Sequence, residues 1–142
     1  MLSHRRIQGV LVAAAVAAAF AAPAVAAMAL PQPVHHGKVT YISGGIGQSE
    51  QRAIEDAARN YNLRITNANK QGDFTTGTKL VIAAKNGHDV LRVASTGPLF
   101  YAKLPPGDYI IRAANDGQHR TREVKIGATG AADIHLIWPQ MG

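Results

Sequence analysis

The sequence predicts a mainly β protein, an antiparallel β-sandwich preceded by a β–helix–β element. After residue 77, short runs with alternating apolar residues recur about every eight to twelve residues, which is typical of sandwich strands. Asn86-Gly87 lies between two of these runs, and Asn-Gly is a strong hairpin signal. Pro105-Pro106-Gly107 predicts a corner, because proline cannot donate to a sheet ladder and glycine tolerates a turn.

The first 27 residues are predicted to be a secretory signal peptide. Arg5 and Arg6 give a positive start, residues 10–22 form an uncharged apolar run, and Ala24-Val25-Ala26 has the small-residue pattern that precedes cleavage. The run is shorter than the roughly 20 residues that span a bilayer, so we expect cleavage rather than a stable membrane span. The predicted location is the periplasm, with secretion as the alternative.

Composition limits the chemistry that the chain can carry. The absence of cysteine from all 142 residues excludes disulfides, thiolate metal ligands and a lipid-modified cysteine. The formal net charge is +6, and cleavage would remove Arg5 and Arg6 and leave +4. This excess of positive charge would favour adhesion to anionic surfaces, but it would equally serve to keep the protein soluble. The basic residues are scattered, so no nucleic-acid partner is predicted.

An extended lead-in is predicted over residues 28–37, followed by the β–helix–β element and a connecting loop over 38–77. The helix is expected over 49–61, because Ile54, Ala57, Ala58 and Tyr61 make one apolar stripe at helical spacing. Strands are expected on either side of it, over 38–43 and 63–66.

The sandwich itself is predicted over residues 78–139. Its strands are expected at 78–84, 89–95, 99–104, 108–114, 120–126 and 133–138. The alternating residues that are expected to fill its core are Leu80, Ile82, Leu91, Val93, Phe100, Ala102, Leu104, Val124, Ile126, Ile134, Leu136 and Trp138.

A leucine–proline–proline–glycine corner leads into an alternating strand and then a turn glycine. The residues of this pattern are Leu104, Pro105, Pro106, Gly107, Tyr109, Ile111 and Gly117. The pattern resembles the carboxypeptidase regulatory-like domain, and the resemblance extends over about residues 78–138. It implies a transthyretin-like, Ig-like sandwich. Such domains serve as structural, folding-assist or binding modules in exported proteins, so the resemblance implies no particular reaction.

Other short motifs have simple structural interpretations. The Gly44–Gly47 stretch precedes the helix, but a dinucleotide loop needs a third glycine where Glu50 stands, so a tight strand-to-helix turn is predicted. His35 and His36 are adjacent on the lead-in, where their side chains point apart, which favours solvent-exposed histidines over a metal site. No catalytic residue, metal or cofactor is predicted.

The predicted function is a non-enzymatic, exported binding or structural module of the cell envelope. Its expected partner is an unknown envelope protein or a glycan. The candidate binding residues are His88 and His119, expected at one loop end of the sandwich, with Tyr101 and Arg112 on an exposed sheet face. The strand that ends at Pro105 is expected to be an open edge for an added strand.

Two alternatives belong to other functional classes. A related transthyretin-like family hydrolyses 5-hydroxyisourate, and clustering of His88, His119 and Arg112 around one pocket would favour such a hydrolase. The C-terminal Tyr-Arg-Gly-Ser ending of that family is absent here. The other alternative is a periplasmic metal-binding protein that uses the histidines. On the exposed sheet face that is predicted to hold Tyr101 and Arg112, we also expect Tyr109 and Arg120.

Overall fold

The computed structural model describes residues 30–139, and the predicted signal peptide lies outside them. A helix α1 spans Gln48–Asp56, a short 3-10 turn spans Ala58–Asn60, and the remaining regular structure is strand. Across residues 30–139 no helix has the length and apolarity needed to cross a membrane. The strands in chain order are β1 (Val34–His36), β2 (Val39–Gly44), β3 (Leu63–Asn69), β4 (Thr78–Ala84), β5 (Asp89–Thr96), β6 (Leu99–Lys103), β7 (Gly107–Asn115), β8 (Gln118–Ile126) and β9 (Ala132–Trp138).

The strands form two sheets, which confirms the predicted β-sandwich. One sheet has five strands in the order β1-β2-β6-β3-β9, and the other has four in the order β5-β4-β7-β8. The β4–β5 and β7–β8 hairpins form at the turns that the sequence predicts. One pairing differs from a purely antiparallel sandwich, because β3 and β9 run parallel.

Side chains that face inward from both sheets form one apolar core. Alternation along each strand puts every second residue on this inner face, as the sequence pattern predicts. Val93, Val124 and Ile134 are only half-buried and pack at the margin of the core. The buried members are Val39, Leu63, Ile65, Leu80, Ile82, Leu91, Phe100, Ala102, Leu104, Tyr109, Ile111, Ala113, Ile126, Leu136 and Trp138.

The proline corner joins the two sheets, since β6 belongs to the five-stranded sheet and β7 to the four-stranded sheet. The Tyr109 hydroxyl donates a hydrogen bond of 2.6 Å to the Pro105 carbonyl oxygen, which fixes this corner. The strand ending before Pro105 was predicted to be an open edge, and this prediction is wrong. It is β6, whose two sides are occupied by β2 and β3.

The β–helix–β element is part of the sandwich. β2 and β3 both run antiparallel to β6 and therefore parallel to each other, with β6 filling the space between them. Helix α1 connects them across the outer face of the five-stranded sheet. A second apolar cluster forms there, in which Ile54 and Tyr61 meet Ile42, Leu99 and Tyr101. The segment before residue 77 and the segment after it thus share one sheet.

Some elements differ from their predicted bounds, and β3 continues to Asn69 instead of ending at residue 66. The α-helix ends at Asp56, and the last predicted turn is the tighter 3-10 turn, in which Asn60 and Tyr61 donate to carbonyls three residues back. Part of the predicted lead-in forms β1, which pairs antiparallel with β2. The extended chain therefore becomes an edge strand once β2 offers unpaired backbone groups.

Candidate functional site

Tyr101 and Tyr109 are buried, and their predicted surface positions are wrong. Each has 7% of its surface exposed. Alternation places Tyr101 on the outer face of its sheet, as predicted, but α1 covers that part of the face. Burial is the main cause that raises the pKa of the Tyr101 phenol, with a further contribution from the Glu55 carboxylate. Neither tyrosine can serve as an exposed recognition surface.

His88 and His119 lie at opposite ends of the four-stranded sheet, so the predicted shared loop end is wrong. The His88 carbonyl accepts from Ala84 at one end of β4. His119 is level with Ala114 on β7, which pairs with Lys79 at the other end of β4. At about 3.3 Å per residue, the two ends are roughly 16 Å apart.

Arg112 is exposed in the middle of β7, on the outer face of the four-stranded sheet. Tyr101 belongs to the other sheet, so the predicted binding residues are spread over separate surfaces. The hydrolase hypothesis required His88, His119 and Arg112 around one pocket, and the fold separates them. Arg120 is also structural, because its guanidinium lies 5.1 Å from the Trp138 ring and its Nε donates to the Ile137 carbonyl.

A large concave surface lies at the end of the sandwich that holds the β7–β8 turn. It is a cleft of about 940 Å³, which we call the end cleft. The loop after β3, the β7–β8 turn and the end of β9 form its walls. The residues that line it are Asn69, Asp73, Phe74, Thr75, Thr76, Gly77, Asn115, Asp116, Gln118, Trp138 and Pro139.

One wall of the end cleft is a loop that Asn69 holds in shape. The buried Asn69 Oδ1 accepts hydrogen bonds of 2.9 Å from the backbone N–H groups of Gln71 and Asp73. Thr75 then donates its backbone N–H to the Asn67 carbonyl at 3.0 Å. The wall is therefore fixed by local hydrogen bonds between side chain and backbone.

A buried polar network forms the floor of the end cleft. Asn67 Oδ1 accepts from the Trp138 indole N–H at 3.0 Å and from the Thr78 hydroxyl at 3.2 Å. Asn115 Nδ2 donates to Thr78 Oγ1 at 2.9 Å and to the Thr76 carbonyl at 3.0 Å. The network joins β3, β4, β7 and β9, so the floor is rigid before any ligand arrives.

The charges of the end cleft have one sign. Among residues 30–139, the charged residues that line it are Asp73 and Asp116, and no basic side chain does. The buried Thr75 hydroxyl has no hydrogen-bond partner within residues 30–139. The exposed part of the lining offers the Asp73 and Asp116 carboxylates as acceptors and the Thr76 hydroxyl and Gln118 amide as both donors and acceptors, a set that matches a neutral, hydroxyl-bearing molecule.

Sequence reasoning treated residues 67–77 as a connecting loop and missed this cleft. The available signal was polar residues at positions that alternate with core residues. Asn67 follows Leu63 and Ile65 at period two, so its side chain faces the core. A polar residue on an apolar face requires hydrogen-bond partners, which indicates a network at that end of the strand.

The glycine-rich turn before α1 has the predicted structural role. Glu50 Oε1 accepts from the backbone N–H groups of Gly45 at 2.7 Å and Ile46 at 3.3 Å. The carboxylate of the helix itself thus occupies the place that an anion would take. His35 Nδ1 lies 2.9 Å from Thr40 Oγ1. Within residues 30–139, no three histidine, aspartate or glutamate side chains lie close enough together to hold a metal.

Comparison with known proteins gives no family. No family model matches the chain, and no curated protein matches it. The resemblance to the carboxypeptidase regulatory-like domain therefore stays a prediction, while the β-sandwich is shown.

Several solved structures are distantly similar to this chain. The chain is similar to the Bacillus anthracis TIE protein, with 18% identity and a TM-score of 0.41 over 54% of this chain and 15% of that one. It is also similar to the major pilin subunit of Bacillus cereus, with 14% identity and a TM-score of 0.39 over 54% and 27%. This chain spans less than a third of the length of either Bacillus protein. TM-scores this low carry no argument about function.

Proposed function

We propose that the protein is a non-enzymatic, exported binding module of the cell envelope, and that the end cleft binds a neutral glycan. The observation that carries this proposal is the end cleft itself, a preformed polar concavity at one end of a rigid sandwich. Its volume of about 940 Å³ falls in the usual range for ligand sites. Export rests on the sequence of residues 1–27, and the expected compartment is the periplasm.

The acceptor and donor groups of the cleft favour sugar hydroxyls. The Asp73 and Asp116 carboxylates accept hydrogen bonds only, so they suit ligand hydroxyls that donate. Gln118 adds a side-chain amide that both donates and accepts. This side chain is exposed and makes no hydrogen bond within residues 30–139. The described part of the chain contributes two carboxylates and no cation to this lining, so an anionic ligand would be repelled.

Exposure of the two carboxylates favours binding over cleavage. A glycosidic general acid keeps its proton because apolar surroundings desolvate it. Asp73 and Asp116 are both exposed to solvent instead. The lining that residues 30–139 form also contains no histidine to serve as a second proton-transfer group.

The test is an NMR titration with neutral oligosaccharides, for which chitotriose, cellotriose and maltotriose serve as probes. We expect at least one to shift backbone resonances of residues 69–77 and 115–118. The double variant Asp116→Asn with Gln118→Ala should weaken binding by about tenfold, since each lost hydrogen bond contributes about 0.5–1.5 kcal/mol. Asparagine tolerates the positive φ of 50° at Asp116, so the turn is kept.

His88→Ala is the matched control and should leave glycan binding unchanged. His88 is exposed at the end of the four-stranded sheet that lies opposite the end cleft. Shifts that map away from the end cleft, or equal losses in both variants, would contradict the proposal. If none of the three oligosaccharides shifts any resonance, the proposal that the end cleft binds a neutral glycan is contradicted.

A further inference from the structure

A second concave surface lies where β3 and β9 begin, at the other end of this parallel pair from the end cleft. It is about 610 Å³ in volume, and we call it the basic cleft. At about 3.3 Å per residue, the seven residues of β3 place the two clefts roughly 20 Å apart. The residues that line it are Arg59, Asn60, Tyr61, Asn62, Arg64, Lys103, Ala128, Thr129, Gly130, Ala131 and Asp133.

The charge of this lining is opposite to that of the end cleft. Arg59, Arg64 and Lys103 come from three separate elements and converge on it, and Asp133 is the one carboxylate that the described residues add to the lining. Three cations around one concavity raise its electrostatic potential and favour a ligand that carries two negative charges. The scattered basic residues of the sequence are thus partly gathered by the fold.

Arg64 is held in place before any ligand binds. Its Nε donates to the Ala58 carbonyl at 3.1 Å, and its side chain is 26% exposed. A terminal nitrogen lies 3.7 Å from Asp133 Oδ1, which is too long for a hydrogen bond, and the Asp133 side chain is 60% exposed. Within residues 30–139, the Arg64 guanidinium donates a hydrogen bond only through Nε. Its terminal N–H groups are therefore available to an oxyanion.

The rim of the basic cleft is also rigid. The Asn62 side chain makes two hydrogen bonds of 2.9 Å with the backbone of Leu104, one to the carbonyl and one from the N–H. Ala132 donates its backbone N–H to the Asn62 carbonyl at 2.9 Å. These bonds join β3 to the strands on either side of it, so the positions of Arg64 and Lys103 are fixed relative to each other.

We propose that the basic cleft binds a phosphate group, with the Arg64 guanidinium as the central ligand and Arg59 and Lys103 as flanking charges. A planar guanidinium suits two oxygens of one phosphate, and the ammonium of Lys103 adds a point charge. The phosphate could belong to a small molecule or to a lipid headgroup, because both present the same oxyanion. Asp133 competes for Arg64 and weakens this site.

The experiment measures binding of inorganic phosphate, glycerol 3-phosphate and phosphatidylglycerol vesicles, with phosphatidylcholine vesicles and chloride at equal ionic strength as references. We expect Arg64→Gln to lower phosphate affinity by about tenfold, because it removes charge-assisted hydrogen bonds. Arg59→Gln and Lys103→Gln should each lower it about threefold. Asp133→Asn should raise it about threefold, since Arg64 is then released from its carboxylate.

Lys79→Gln is the control for net charge, because Lys79 is exposed at the far end of the four-stranded sheet. It should change affinity by less than about twofold. Arg64→Gln also removes a hydrogen bond to Ala58, so the exposed Arg59 and Lys103 variants keep the test decisive if that variant folds poorly. Binding only to vesicles would assign the phosphate to a lipid, and binding of the free anions would assign it to a small molecule.

Two outcomes would overturn the proposal. Equal losses in Lys79→Gln and Lys103→Gln would show a diffuse charge effect. No measurable binding of any phosphate probe at about 10 mM would show that the cleft holds none, since a millimolar dissociation constant is already weak.

Discussion

Tyr109 fixes the point at which the chain leaves one sheet and enters the other. Its ring is buried in the core and its hydroxyl donates to the Pro105 carbonyl. This is the arrangement known in Ig-like sandwiches as a tyrosine corner, in which a strand-start tyrosine bonds to backbone a few residues upstream. Burial also raises the pKa of this phenol.

Tyr109→Phe should destabilise the protein by about 1–1.5 kcal/mol, because the ring still fills its place but the hydrogen bond to Pro105 is lost. The measurement is urea unfolding at pH 7. Tyr41→Phe is the matched control, since the Tyr41 hydroxyl makes no hydrogen bond within residues 30–139, and its effect should stay within about 0.5 kcal/mol. Equal effects of the two substitutions would contradict the role of the corner.

Asn67 belongs to the polar network in the floor of the end cleft and has only 1% of its surface exposed. Asn67→Ala leaves the Trp138 indole and the Thr78 hydroxyl without their acceptor, and we expect a loss of about 2–4 kcal/mol. Thermal and urea unfolding measure this loss. Asn60→Ala, at an exposed position, should be nearly neutral, and a similarly small loss at Asn67 would show that water replaces its amide.

At the scale of elements, the link between β5 and β6 allows no side chain at residue 97. A Cβ at Gly97 would lie 2.6 Å from the Gly44 carbonyl oxygen and 2.8 Å from the Gly44 Cα, both of which are backbone atoms. The Gly97 N–H also donates to Ser43 Oγ at 2.9 Å. The strand crossing and the end of β2 are therefore in direct backbone contact.

Gly97→Ala should cost about 1–3 kcal/mol, because the crossing must move away from β2. Gly127→Ala is the control, since the nearest atom to its new Cβ is 3.4 Å away and the change should cost less than about 1 kcal/mol. Unfolding free energies of both variants, measured in parallel, test the contact. A Gly97 variant as stable as the Gly127 variant would exclude a tight crossing.

Local patterns predicted most strands, while the sheet order was out of their reach. β4 runs from Thr78 to Ala84 as predicted, because alternation and the Asn86-Gly87 turn are both local signals. The position of β6 depends on its pairing with Tyr41 and Arg64, about 60 and 40 residues earlier in the chain. Such pairing is non-local, so period-two alternation alone could not show that Pro105 ends a central strand.

The candidate sites were harder to predict for the same reason. The basic cleft brings Arg59, Arg64 and Lys103 together from three elements, and no spacing in the sequence reveals that convergence. Tyr101 was placed on the correct face, but the sequence does not show that α1 crosses that face. His88 and His119 each follow a turn, and only the strand directions show that the two turns lie at opposite ends.

At the scale of the whole molecule, buried phenols make stability depend on alkaline pH. Burial raises the pKa of Tyr61, Tyr101 and Tyr109 above the ordinary value of 10.0. The folded chain therefore keeps these protons to higher pH than the unfolded chain does. Their stabilising contribution is complete below about pH 10 and is lost as the pH rises through the folded pKa values.

Urea unfolding at pH 8, 9, 10 and 11 should show a falling unfolding free energy above about pH 10. Tyr101→Phe should make this decline shallower, because one phenol with a raised pKa is removed. A free energy that stays level to pH 11 would contradict the burial of these phenols.

β6 lies between two strands that both precede it in the chain. During synthesis, the edges of β2 and β3 that pair with β6 therefore stay unpaired until residues 99–103 have emerged. Until then, the apolar surface that helix α1 covers is incomplete, because Leu99 and Tyr101 form part of it. We expect the first half of the chain to gain lasting order only when this late strand arrives. The fold thus couples early segments to the second half of translation, and a chain interrupted before residue 99 would offer proteases an unassembled target.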